Sequence, residues 1–125
     1  MEYNTTKHIL IVDDDDMMRA FVKELLSMHN FIITEAANGK DGLKQLRDNM
    51  PDLVITDIIM PEMEGISFIR ALRNINKDIP IIAMTGNVHG RMEEYLEISS
   101  QLGADTVLRK PVKAKEFLDA IDELI

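Results

Sequence analysis

Oily and polar positions along the chain alternate between two periods. Five short runs, HILIV (8–12), FIITEA (31–36), DLVIT (52–56), PIIAM (80–84) and DTVL (105–108), are four to six residues long and mostly rich in Ile or Val. Runs of that length and composition suit strands buried on both faces of a sheet. Between them, apolar residues recur at helical spacing. Met18, Phe21, Val22, Leu25 and Leu26 form one stripe, and Gly39 opens a second with Leu43, Leu46 and Met50. Ile66, Ile69 and Leu72 form a third. Met92, Tyr95, Leu96 and Leu102 form a fourth, stopped by Gly103, and Phe117, Leu118, Ile121 and Leu124 close the series. Most of the nine methionines are expected to fill gaps in the core.

Five strand–helix repeats predict the α/β class, with a parallel sheet covered by helices on both faces. Right-handed crossovers leave few doubly wound topologies. For five strands the expected order is 2-1-3-4-5, the flavodoxin-like (βα)5 arrangement, whose ligand site lies at the carboxyl ends of the strands near the switch point. The 125 residues fit one domain, 1–125, with a single core and no linker or low-complexity tract.

Polar residues gather at that carboxyl rim. Asp13, Asp14, Asp15 and Asp16 follow the first strand; Asp57 follows the third, Thr85 the fourth, and Lys110 the fifth, just before Pro111. Singly, such residues are commonly helix caps, strand ends or turns, and Asp15 or Asp16 is expected to cap the first helix. Their convergence on one edge is not a product of chance. Two carboxylates about 4 Å apart repel by roughly 1 kcal/mol in water and by several times that when partly buried, so the crowding calls for a cation. Asp13, Asp14 and Asp57 suit a hard ion such as Mg²⁺, with Mn²⁺ as the alternative. One carboxylate beside such an ion can attack phosphorus and form an aspartyl phosphate. Asp57, alone at the tip of the central strand, is the expected nucleophile. Lys110 and Thr85 would then compensate charge on the phosphoryl oxygens. His8, His29 and His89 are scattered, without ligand-like spacing, and are expected to serve packing or the surface.

Charge narrows the partners. With 14 basic and 22 acidic residues the net charge is −8, so direct nucleic-acid binding, which needs a basic stripe, is not expected. Cysteine is absent, which removes disulfides and thiolate metal sites. The opening MEYNTTKH lacks a secretory layout. No apolar stretch approaches the roughly 18 residues of a membrane span. A cytoplasmic location is the expectation.

Four motifs in order, ILIVDD, DLVITDIIMPEMEG, PIIAMTG and GADTVLRKP, resemble the receiver domain of two-component response regulators, over nearly the whole chain. That resemblance implies Asp57 as phosphoacceptor and Mg²⁺ held by Asp13, Asp14, Asp57 and the Ile59 backbone carbonyl. It implies Thr85 as the switch hydroxyl, Lys110 as the partner of the phosphoryl group, and a cis Lys110-Pro111 peptide. MPEMEG becomes the loop into the third helix, with Gly65 relaxing its backbone. The donor would be a sensor histidine kinase or a histidine phosphotransfer protein. Output to a downstream target would leave by the helix 4, strand 5, helix 5 face.

The chain departs from the family pattern in four places. Val107 stands where Tyr or Phe is usual, and Val112 where Phe is common. Thr85 and Gly103 are about three residues further apart than usual, which predicts a longer loop or an extra helical turn. Ile59 and Asn87 hold the variable positions beside the acceptor, and Ile59 is expected to hinder the in-line water and prolong the phosphoryl lifetime. Two rival functions remain. A haloacid-dehalogenase-like phosphatase would use Asp13 as nucleophile and Asp15 as general acid, but leaves DIIMPEMEG unexplained. A receiver-like interaction module would work without phosphorylation. A flavin site would want a neutral phosphate loop where the aspartates stand. The expected reading is a phosphoacceptor rather than a turnover enzyme. It is expected to stand alone, since the chain ends after FLDAIDELI, with a segment of a longer protein as the other possibility.

Overall fold

The computed structural model describes residues 6–60, 65–86 and 90–125. Strands and helices alternate as β1 (His8–Val12), α1 (Asp16–Ser27), β2 (Ile32–Ala36), α2 (Gly39–Asp48), β3 (Leu53–Asp57), α3 (Gly65–Ile75), β4 (Ile81–Thr85), α4 (Met92–Gln101), β5 (Thr106–Arg109) and α5 (Ala114–Leu124). The sheet order is β2-β1-β3-β4-β5, and every pairing is parallel. This is the doubly wound fold that the alternating pattern predicts.

Successive strand residues point to opposite faces, so each strand feeds two apolar layers. Ile9, Ile11, Leu53, Ile55, Ile82 and Met84 pack with Val22 and Leu26 of α1 and Phe117, Ala120 and Ile121 of α5. Leu10, Val12, Val54, Ile81 and Ala83 pack with Leu43 and Leu46 of α2 and Phe68, Ile69 and Leu72 of α3. Burial of each large side chain is worth about 1.5–3 kcal/mol, which makes the two layers the main hold on the sheet.

Some helical expectations shift. The buried face of α3 is Gly65, Phe68, Ile69 and Leu72, with Ile66 only partly covered. Met50 lies beyond the end of α2 and is exposed. Met60 and Met84 fill core as expected, whereas Met17 and Met28 are exposed on or beside α1. The fourth stripe is shallow: Met92, Tyr95 and Leu96 are half-buried, and Ser99 is the buried residue of α4. The α4 helix has ten residues. The segment expected to hold the extra length includes residues 87–89, which lie outside the described residues.

The far end of α4 is tied down. Gly103 has φ +107°, a conformation that suits glycine and ends the helix. Arg73, at the end of α3, donates to the Gly103 carbonyl at 2.7 Å and to the Ile79 carbonyl at 2.7 Å. It also pairs with Asp105 at 3.2 Å. One guanidinium thereby joins the end of α3 to the start of β4 and the α4–β5 turn.

Candidate functional site

The rim is built from strand ends. Strands three and four run one residue further than their apolar runs predict, so Asp57 closes β3 and Thr85 closes β4. Asp13 follows β1, and its N–H donates to the Ala36 carbonyl of β2 at 3.1 Å. Parallel pairing of β1 with β3 sets these tips side by side. Asp13, Asp14 and Asp57 each offer a carboxylate oxygen within 4.8 Å of the others. Asp13 and Asp57 are buried, while Asp14 is exposed. The Lys110 ammonium reaches into the cluster, 3.0 Å from Asp57 Oδ2 and 3.3 Å from Asp13 Oδ2. Its backbone N–H donates to the Thr85 carbonyl at 2.8 Å, and the Lys110-Pro111 peptide is cis, as expected.

The four consecutive aspartates divide their work. Asp15 is the cap of α1, accepting from the Met17 and Met18 N–H groups at 2.9 and 3.3 Å. Asp16 sits in the first turn and pairs with Arg19. Asp13 accepts from the Asp15 N–H at 2.9 Å through one oxygen and meets Lys110 through the other. Asp14 is left facing solvent at the rim. With its oxygen engaged by the helix N-terminus, Asp15 is poorly placed to act as the general acid of a phosphatase.

Burial dominates the electrostatics. It pushes the Asp13 carboxyl up to about 6, the Asp57 charge adds to the rise, and the Asp15 amide and Lys110 oppose it. Burial also raises Asp57, against the pull of Lys110 and the Ile59 and Ile58 amides. Burial disfavours the Lys110 ammonium too, but the charges of Asp57 and Asp13 outweigh it and hold the group above the usual lysine range. One lysine therefore under-compensates three carboxylates. An all-oxygen, partly buried site with surplus negative charge fits a hard divalent ion.

Gly65 has a different role from the one its position suggests. A Cβ there would lie 2.0 Å from the Asp57 carbonyl oxygen and 2.5 Å from Ile58 Cα. Its N–H donates to the Ile58 carbonyl at 2.8 Å. Glycine is needed for close approach of α3 to the tip of β3, not for a relaxed loop. Residues 61–64 of MPEMEG lie outside the described residues, as do Asn87 and His89.

The other expected site residues are nearby but differently engaged. Thr85 is fully buried, and its hydroxyl donates to the Gly86 carbonyl at 3.1 Å rather than to Asp57. The Ile59 N–H lies 3.4 Å from Asp57 Oδ1, and its side chain packs partly against the α2–α3 layer. Val107 packs against that same layer, and Val112 is buried in the α1–α5 layer. His8 bonds Thr34 Oγ1 at 2.8 Å, a packing role, and His29 is exposed. Arg19 was not singled out, although its guanidinium donates to the Asp13 carbonyl at 2.6 Å. A helical side chain leans toward its own N-terminus, so an arginine in the first turn after a cap was the available signal.

A doubly wound α/β domain that gathers three aspartates and a lysine at the carboxyl ends of its strands forms a recognisable class. Within that class this chain belongs to the response regulator receiver domain family, whose model matches residues 9–122. The chemotaxis protein CheY of Bacillus subtilis (strain 168) is 34% identical over 118 residues, covering 94% of this chain and 96% of that protein. A probable transcriptional regulator, ycf27, of Guillardia theta is 34% identical over 119 residues, covering 94% of this chain. The chain spans only 44% of that regulator's length. A solved response regulator receiver domain protein (CheY-like) from Methanospirillum hungatei JF-1 superposes with a TM-score of 0.88 at 29% identity, covering 95% of this chain and 93% of that one. Among the described residues no helix is long and apolar enough to cross a membrane.

Proposed function

We propose that residues 1–125 act as one receiver unit, a phosphorylation-dependent signalling switch that takes a phosphoryl group on Asp57. The observation that carries this reading is the placing of the Asp57 carboxylate within reach of Asp13, Asp14 and Lys110 together. The donor is a phosphohistidine of a sensor histidine kinase or histidine phosphotransfer protein. An Asp57 oxygen attacks phosphorus, the new O–P bond forms as the N–P bond breaks, and the electron pair leaves on the imidazole nitrogen. Lys110 shifts its contacts toward the phosphoryl oxygens. Asp13, Asp14, Asp57 and the Ile59 carbonyl would hold Mg²⁺ (Mn²⁺ fits the same donors), which supplies further compensation for charge on the phosphoryl oxygens. Water later cleaves the acyl phosphate at phosphorus and returns the carboxylate. The chain is thus a self-catalysed phosphoacceptor rather than a turnover enzyme.

Thr85 supplies the switch. Its hydroxyl leaves the Gly86 carbonyl for the phosphoryl group and draws the end of β4 inward. The shallow seating of α4 lets the α4–β5–α5 face respond and control a downstream protein. With Val107 on β5 the response runs without a swinging aromatic. A cytoplasmic location and the absence of direct nucleic-acid contact accord with the acidic surface and with a kinase donor.

The test is incubation with a small acyl phosphate and Mg²⁺, read as intact mass. Wild type gains one phosphoryl unit, Asp57→Asn gains none, and a chelator suppresses the gain. An adduct that persists in Asp57→Asn, or turnover that depends on Asp13 instead, would reject the assignment. The variable position gives a second result: the phosphoryl group persists longer on wild type than on Ile59→Asn, as measured by decay of the adduct after donor removal. Faster loss from wild type contradicts that role for Ile59.

A further inference from the structure

We infer that Arg19 is a positioning residue for the rim, fixing the Asp13 backbone so that its carboxylate is held ready for the metal. This deepens the reading of the rim as a Mg²⁺ site and rests on it. Arg19 Nη1 donates to the Asp13 carbonyl at 2.6 Å. Its other nitrogens are committed as well, Nη2 to Asp16 and Nε to Glu35 at 3.4 Å. The side chain is 14% exposed. Glu35 is itself pinned, since it stands on β2 opposite Ile11 and pairs with Lys23 at 3.2 Å.

These contacts hold Asp13 from both sides. Its N–H is bonded to the Ala36 carbonyl of β2, and its carbonyl is bonded to Arg19, which is braced on the neighbouring residue of the same strand. Only the side chain is left to choose a direction, and the Asp15 N–H takes one of its oxygens at 2.9 Å. A planar guanidinium spreads its donors over three nitrogens in a fixed fork and so reaches all three partners, whereas an ammonium presents its donors from a single nitrogen. Partners that orient a ligand without touching the ion typically change metal affinity by about 10–100-fold when removed.

The sign of the effect separates positioning from charge. Arg19 is a cation beside a cation site, so by Coulomb repulsion alone its removal would tighten Mg²⁺ binding. Positioning makes the opposite forecast. Calorimetric titration of metal-free protein with Mg²⁺ reads the difference directly. Arg19→Ala is expected to weaken binding about tenfold. Arg19→Lys keeps the charge and loses the fork, and is expected to weaken it several-fold. Lys115→Ala, which removes an exposed cation of α5 paired with Asp119 and lies outside the Arg19 contacts, leaves affinity at the wild-type level. Circular dichroism of each variant confirms folding, and if Arg19→Ala does not fold, Arg19→Lys decides alone. Unchanged or tighter binding in the variant that decides overturns the inference while the metal site stands. No Mg²⁺ binding by wild type removes the site and this inference together.

Discussion

Replacing Gly65 with alanine is expected to lower stability by roughly 3–5 kcal/mol and the melting temperature by more than about 10 °C. The new methyl carbon would sit 2.0 Å from the Asp57 carbonyl oxygen and 2.5 Å from Ile58 Cα. Both obstacles are backbone, so no rotamer change relieves them. Either the start of α3 lifts off β3 or the tip of β3 bends. Alanine is the better helix former by about 1 kcal/mol, which works in the opposite direction and is too small to rescue the clash. The strand tip displaced is the one that carries Asp57, so acyl-phosphate labelling falls with stability. Thermal denaturation checks the forecast. A variant within about 1 kcal/mol of wild type would mean that α3 yields freely, contrary to the close packing of Phe68 and Ile69 behind it.

Asp13→Asn is expected to act in opposite directions with and without metal. The Asp13 carboxyl has a folded-state pKa of about 6, raised from its ordinary 3.8 chiefly by burial. The native state therefore binds the proton more tightly than the unfolded chain. The stability linked to it is fully present below about pH 4 and is lost as pH rises through about 6, up to about 3 kcal/mol in all. An asparagine amide of the same shape carries no charge to desolvate. Without Mg²⁺ near pH 7 the variant should be more stable than wild type by up to about 3 kcal/mol, a figure already net of the attraction to Lys110. The gap should close as pH falls to about 4. Saturating Mg²⁺ should raise the wild-type melting temperature and leave the variant little changed, since ligand that binds only the folded state stabilises it. Paired denaturation curves across pH, with and without the ion, read both effects. A metal-free Asp13→Asn protein less stable than wild type at neutral pH would show that Lys110 already satisfies that carboxylate.

Much of the rim was legible because its residues are fixed by strand ends. Once the Ile- and Val-rich runs are read as parallel strands, Asp13, Asp14, Asp57 and Lys110 must fall on one edge, and they do. Side-chain direction was less accessible. Nothing in the order of residues says that the Thr85 hydroxyl bonds Gly86 or that Arg19 turns back to Asp13, since both depend on close three-dimensional packing. The α3 stripe of Ile66, Ile69 and Leu72 packs inward but is incomplete, for a simple reason. Steps of three from Ile66 to Ile69 to Leu72 drift around a helix of 3.6 residues per turn, whereas Gly65, Phe68, Ile69 and Leu72 stay on one side. Gly65 was read as a source of flexibility because a missing side chain looks the same in sequence whether it serves torsional freedom or clearance.

In the proposed switch, the clasp of Arg73 on Gly103 would give α4 a fixed fulcrum. Gly103, just past the C-terminus of α4, is fastened through Arg73 to α3 and to the segment leading into β4, while Met92 opens the helix on the side to which the chain passes from Thr85. A ten-residue helix is about 15 Å long, so a tilt of about 10° about the fastened end carries the free end through roughly 2.5 Å and leaves the clasp nearly still. A tilt of that kind would be largest at the Thr85 end, beside the proposed phosphoacceptor, and smallest at the hinge.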